Sequence, residues 1–313
     1  MAALFMATLF MATASPGNAQ VIQRTPDGHP DFQGLWVNNT ATPLERPKEV
    51  QGRAAFTEQE AKDYLGRYQV DRTLALSRNK SFELDAAASD LDTYEPGPLL
   101  PGRRTSMIVD PATGLVPPLT PDAQQRFTER NRHLEEHYAE NPEDLRPAER
   151  CLIVANAYVP PLMPAFYNNT LQIVQTPGAI VISSEQIHDA RVISMSRQTH
   201  LAPDMQRWAG DSIGRWEGDT LVVDTTNFSP RTTLRGSGTG LHLVERFSLS
   251  DASTIKYEFF VDDPASFTRP WSASSEITRT EGPMYEYACH EANYSMGYIL
   301  SGARFQEKAG QQR

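Results

Sequence analysis

From Leu171 onward the chain breaks into short, β-branched apolar segments at regular intervals, each closed by a polar turn. Spacing of this kind indicates an antiparallel sandwich or barrel. The segments are 171–176, 179–184 and 191–195, with Pro177-Gly178 as the first hairpin turn. A strand–turn–strand follows around Arg215-Trp216-Glu217-Gly218-Asp219-Thr220-Leu221-Val222-Val223-Asp224, and then come 241–249, 254–261, 271–280 and 285–291. Together they make about eight strands, enough to close a barrel around one small ligand.

The preceding stretch, 20–150, is rich in proline and poor in strands, so it cannot build a core of its own. It opens with Asp31-Phe32-Gln33-Gly34-Leu35-Trp36-Val37, a short strand carrying a G-x-W pattern. Thr57-Glu58-Gln59-Glu60 has the capping-box form and predicts a helix to about Val70. Thr120-Pro121, with proline at the first helical position, predicts a second helix to about Tyr138. The expected architecture is therefore mainly β: an antiparallel, lipocalin-like barrel over 151–313, clasped by a proline-rich N-terminal arm over 20–150 with two helices. The Gly34-Leu35-Trp36 string, which looks like the first-strand mark of lipocalin-type barrels, favours barrel over sandwich.

Residues 1–19 are uncharged and apolar, ending in Ser15-Pro16-Gly17-Asn18-Ala19 with small residues suited to a cut after Ala19. This reads as a secretory signal peptide, too short to span a bilayer, and places the mature protein in the periplasm or outside the cell. Net charge is −10 and no Lys/Arg cluster stands out, which argues against nucleic acid as a partner. No later segment suits membrane insertion. The two cysteines, Cys151 and Cys289, form a disulfide by default in an oxidising compartment, closing a loop worth roughly 4 kcal/mol.

Several strings together resemble a widespread family of secreted bacterial proteins of unassigned function. They are Met107-Ile108-Val109-Asp110-Pro111 with Pro117-Pro118-Leu119-Thr120-Pro121, Glu149-Arg150-Cys151, Val244-Glu245-Arg246-Phe247 and Tyr287-Ala288-Cys289-His290-Glu291. The most specific runs from Gly210-Asp211-Ser212-Ile213-Gly214 through Arg215-Trp216-Glu217-Gly218-Asp219 to Thr225. The resemblance implies export; it brings no reaction and no catalytic residues.

Gly210-Asp211-Ser212-Ile213-Gly214 also matches the G-x-S-x-G nucleophile elbow, with Asp224 and His242 following in chain order. That motif needs a strand before it and a helix after it, whereas a hairpin follows here, so a turn is the better reading. Glu245 is more informative. Alternation along 241–249 puts it on the face of Leu243 and Phe247, with His242 and Arg246 opposite. An interior carboxylate is either a desolvated general base or half of a buried ion pair with Arg191 or Arg215. Tyr285, Tyr287, Cys289 and Glu291 share one face of the last expected strand and suit a ligand pocket, with Trp216 and Phe247 as apolar contacts, or an ordinary core.

No dinucleotide or phosphate-loop motif occurs, so no organic cofactor is expected; zinc held by His188, His200 and His242 is the alternative. The function expected is a cofactor-free lyase, isomerase or hydratase acting on a small, partly apolar molecule inside the barrel. Glu245 would be its base, Arg191 or Arg215 its anion stabiliser, and His188 or His242 its proton partner. The alternatives are a carrier using the same cavity, or a structural envelope protein with a filled barrel.

Overall fold

The computed structural model describes residues 21–67, 97–153, 160–165, 168–232 and 234–311; the expected signal peptide at 1–19 lies outside the described residues. The strands are β1 (Gly34–Val37), β2 (Ile108–Asp110), β3 (Thr170–Gln175), β4 (Ala179–Ser184), β5 (Ala190–Ser194), β6 (Asp211–Glu217), β7 (Thr220–Thr226), β8 (His242–Asp251), β9 (Thr254–Asp262) and β10 (Trp271–Thr280). Three helices accompany them: α1 at 58–67, α2 (Pro121–Glu136) and α3 (Ser295–Gln311). Thr120 caps α2 by accepting from the Ala123 amide at 3.3 Å, with Pro121 at N1 as the sequence predicts. The end of the first predicted helix, 68–70, lies outside the described residues.

The strands follow the order β1-β3-β4-β5-β6-β7-β8-β9-β10, and β1 also pairs with β10, so nine strands close into a barrel. Alternation does the sorting. Leu243, Glu245 and Phe247 of β8, Ile255, Tyr257, Phe259 and Val261 of β9, and Trp271, Ala273 and Ile277 of β10 are all buried inside. Their neighbours in the chain face out, as a period of two requires.

Three features depart from the sequence expectation. The first is closure. The short strand of the arm is a barrel strand, with Leu35 opposite Thr280 on one side and Gln172 on the other, and β2 from the same arm adds to β10. The arm and the barrel therefore share one sheet, with no boundary at residue 150. The second is that 285–291 forms no strand. With β9 along one side of β10 and β1 and β2 along the other, no edge is left for it, and Tyr285 is 66% exposed. The third is that β5 and β6 run parallel, Ile193 opposite Ser212. A parallel pair needs a long crossover, supplied by 195–210.

The closing seam explains the G-x-W pattern. The Arg279 guanidinium lies over the Trp36 ring, 4.3 Å from its centroid, and donates to the Gln33 carbonyl at 2.9 Å. Gly34 sits at φ +126°, and a Cβ there would come within 2.5 Å of Arg279 Nη1. Trp36 Nε1 donates to the Phe32 carbonyl at 2.8 Å. Outside the barrel, Cys151 and Cys289 form the expected disulfide, Cα atoms 5.7 Å apart. It ties the stretch ahead of β3 to the segment before α3, since there is no last strand for it to join.

Gly34→Ala should lower stability by about 2–4 kcal/mol through the combined strain and displaced guanidinium, read as a drop in the urea midpoint. An unchanged midpoint would mean that the seam does not govern closure.

Candidate functional site

A connected polar network crosses the barrel interior, while Trp271 Nε1 and Ser275 Oγ of β10 are buried without a partner. Arg191 on β5 donates from Nη1 to Glu245 Oε1 at 3.0 Å and from Nη2 to Glu245 Oε2. Its Nε donates to Ser212 Oγ at 3.0 Å and Nη2 to Thr225 Oγ1 at 2.8 Å, while those two hydroxyls bond each other at 3.0 Å. Tyr257 donates to Glu245 Oε1 at 2.7 Å and accepts from the Leu162 amide at 2.8 Å. Burial, and then the neighbouring Glu245 charge, push the Tyr257 phenol well above its ordinary range, so it stays protonated and donates.

Glu245 is 0% exposed and both its oxygens are engaged. Of the two sequence readings, the buried ion pair is the one formed, with Arg191 as partner. Arg215 points outward and bonds Glu217. Phe247 packs on Tyr257 at 4.9 Å between ring centroids. Residues 211–214, expected as a turn, are instead the first half of β6, paired with β7, because alternation puts Ser212 inside and Asp211 and Ile213 outside; Ser212 is buried mid-network there, without the strand–turn–helix of a nucleophile elbow.

The remaining expected site residues lie elsewhere. His188 is exposed on the turn before β5, with Nδ1 bonded to the Tyr287 carbonyl at 2.9 Å. Tyr285 and Glu291 are exposed and Tyr287 half-buried, all in the irregular segment after β10. Trp216 stacks on His29 at 4.3 Å. The three histidines considered for zinc do not converge, and among the described residues no group of His, Cys, Asp or Glu is placed to hold a metal.

Two of those histidines belong instead to a relay on the outer face. Arg197 grips Asp211 through two bonds of 2.7 and 3.0 Å. His200 bridges Asp211 (3.1 Å) and Asp224 (2.9 Å), and His242 joins Asp224 at 3.0 Å. Since Arg197 and His200 lie on the crossover, this relay pins it to β6 and β7. Burial by itself would raise the Asp211 carboxyl, but bonds from Arg197, the Leu201 amide and His200 outweigh it and bring it down to about 2. Asp224 is also lowered, its two histidine bonds overcoming burial.

A different kind of site opens between α2 and the barrel end: a cleft of about 450 Å³ lined by Arg126, Phe127 and Arg130 of α2, the 236–240 loop, and Asp263 and Ser266 after β9. Thr120, the α2 cap, anchors the helix there by donating to the Ala265 carbonyl at 2.9 Å. Arg126 Nη2 donates to the same carbonyl at 3.3 Å, and Arg130 Nη2 to that of Arg231 at 3.1 Å. Burial pulls the Arg130 guanidinium below its ordinary value.

Opposite them, Asp263 Oδ2 accepts from the Gly238 amide at 2.9 Å. Asp263 Oδ1 and Ser266 Oγ have no hydrogen-bond partner, although the residues are 1% and 0% exposed. A second cleft of about 520 Å³, beside Trp216 and Arg197, differs in this respect. Its arginines are bound to Asp211 and Glu217, and His29 is stacked on Trp216.

The α2 cleft was not singled out in the sequence, although two signals bear on it. Arg126 and Arg130 are spaced i, i+4 on one helix face, and Gly236, Gly238 and Gly240 alternate just before β8. The chain matches no family model, no curated protein and no solved structure. Among the described residues no helix is long and apolar enough to cross a membrane.

Removing one partner of the interior pair strands the other. Glu245→Leu should cost about 3–5 kcal/mol of stability, and the double variant Arg191→Met/Glu245→Leu should regain more than half of that in urea unfolding. Additive losses would contradict a coupled pair.

The relay carries a pH signature. With folded values below the unfolded carboxylate range, its stabilisation is complete above about pH 4 and fades as pH falls toward 2. Asp211→Asn should therefore be less stable than wild type at pH 6, on the order of 1–2 kcal/mol, with the gap closing by about pH 2. A gap that persists unchanged in acid would refute the assignment.

Proposed function

We propose that this is an exported small-molecule-binding protein whose ligand sits in the α2 cleft at the barrel end rather than in the barrel interior. The observation that carries the reading is the pair of buried, unpartnered oxygens, Asp263 Oδ1 and Ser266 Oγ, at the wall of that cleft. Leaving a buried polar atom unsatisfied costs about 1–3 kcal/mol, more when it is charged, and a ligand with hydrogen-bond donors would recover that cost. The cleft volume falls within the usual range for small-molecule sites. Export is supported by the sequence of 1–19 and by the Cys151–Cys289 disulfide.

Binding is favoured over acid–base turnover because Glu245, the expected base, is held by Arg191 and Tyr257 and borders neither of the two clefts described above. A lyase or isomerase acting in the interior would need that pair to open.

A thermal-shift screen of small metabolites tests the reading. Ligands should raise the melting temperature of the wild type but not of Thr239→Trp, which fills the cleft from an exposed position. Hits that survive this substitution and vanish in Glu245→Gln would return the site to the interior.

A further inference from the structure

We infer that the outer face of α3 is where two copies of this chain meet, crossing antiparallel about a two-fold axis that passes between Ser301 and Gly302. This contact is separate from the α2 cleft and does not depend on a ligand there.

The helix is seated on one side only. Met296, Ile299, Leu300 and Ala303 are half-buried, and Arg304 donates to the Ala139 and Glu140 carbonyls just beyond α2. The Cys151–Cys289 disulfide holds the segment ahead of it. At 3.6 residues per turn, Tyr294, Tyr298 and Phe305 fall within about 40° of one another on the other side. The Tyr298 amide donates to the Tyr294 carbonyl at 3.1 Å, which brings Tyr294 into the same helical spacing. The three rings are 70%, 74% and 75% exposed, and apart from Val21 no large hydrophobic side chain among the described residues is more exposed. Single exposed apolar residues are ordinary; an aligned row of aromatic rings marks a contact surface.

The spacing within the row identifies a second copy as the occupant. Gly302 lies mid-helix, where glycine weakens a helix relative to alanine. A Cβ there would meet nothing within 4 Å, so the packing of one chain gives no reason for it. Close approach of another helix does, and Ser301 beside it is also small. An axis between these two residues places positions equally far on either side opposite each other. Tyr298 then meets Phe305 of the second copy, Phe305 meets its Tyr298, and Tyr294 meets the small Ala309. The same patch serves both chains, as an isologous interface requires.

Charge permits this approach. A chain of net charge −10 repels its own copy. The one carboxylate of α3, Glu307, stands off the aromatic row and is paired with Arg304 at 2.6 Å, so no carboxylates oppose each other across the crossing. Six aromatic side chains, each contributing on the order of 150 Å², bring the contact close to the ~1,000 Å² that a specific interface needs. The resulting dimer is weak and reversible.

Sedimentation velocity of the full chain, from roughly micromolar to hundreds of micromolar, tests this. The wild type should pass from monomer to dimer over that range, and added salt should favour the dimer by screening the repulsion between copies. Gly302→Leu and Phe305→Glu should each weaken dimerisation at least about tenfold without lowering the melting temperature of the dilute monomer, because both positions are open in the single chain. Ser301→Cys should form an interchain disulfide under mild oxidation, and Gln306→Cys, on the flank of the helix, should not.

A monomer throughout the range overturns the inference, as does a dimer that both Gly302→Leu and Phe305→Glu leave intact. Cross-linking at 306 as fast as at 301 rules out the antiparallel crossing. A chain that stays monomeric and floats with phosphatidylcholine vesicles would assign the aromatic row to a lipid surface instead.

Discussion

Closure of the sheet depends on a four-residue strand that lies more than a hundred residues before the rest of the barrel. β1 bonds β3 on one side and β10 on the other, so the seam joins distant parts of the chain, and its geometry is held by Gly34, Trp36 and Arg279 together. The glycine has two constraints at once, a positive φ and a guanidinium where its Cβ would be. Without β1 the sheet would have two unpaired edges, and the row of buried aromatics on β9 and β10 would face water at the seam. The arm is thus the last stave of the barrel, and its lack of an independent core follows from that role.

A closed barrel must then deal with its own polar groups. Arg191 and Glu245 sit on non-adjacent strands and face each other across the interior, and Ser212, Thr225, Tyr257 and the Leu162 amide take up their remaining bonding capacity. Such a pair adds little net stability over an apolar substitute, yet is costly to break in half. It fixes which faces of β5 and β8 point inward, because a one-residue slip of either strand would turn a charge out and leave its partner alone. The outer relay does the corresponding work for the crossover, where the parallel β5–β6 pairing provides only two matched positions and side chains supply the rest of the anchoring.

Alternating apolar residues made β3 to β5, β7 to β10 and the second half of β6 legible, and Thr120-Pro121 did the same for α2, since both signals are local; residues 211–214 were read as a turn because their glycines and short polar residues hide the strand period. The face of Glu245 was also legible, and Arg191 was one of its two candidate partners; choosing between Arg191 and Arg215 needed the parity of β6, which puts Arg215 on the outer face beside Glu217. What local pattern could not supply was competition for edges. Residues 285–291 alternate as a strand should, but β1 and β2 already occupy the free side of β10. The clustered tyrosines there look like a pocket only if that strand forms. Asp224 and His242 were paired only as parts of the nucleophile-elbow pattern, and Asp211 was missed as a partner of His200 because the crossover that delivers His200 has no period of its own.

The same contrast supports the proposed binding site. Inside the barrel, the Arg191–Glu245 network has its bonding needs met by the protein, and a satisfied network gains nothing from a ligand. At the end covered by α2, two buried oxygens, Asp263 Oδ1 and Ser266 Oγ, lack partners in the wall of a cleft that two arginines and an aromatic ring also line; the unpartnered Trp271 Nε1 and Ser275 Oγ of β10 border neither that cleft nor the one beside Trp216. That the chain commits so many side chains to one carboxylate in its core, and leaves another short of a partner beside the cleft, supports the proposed placement of binding at that cleft.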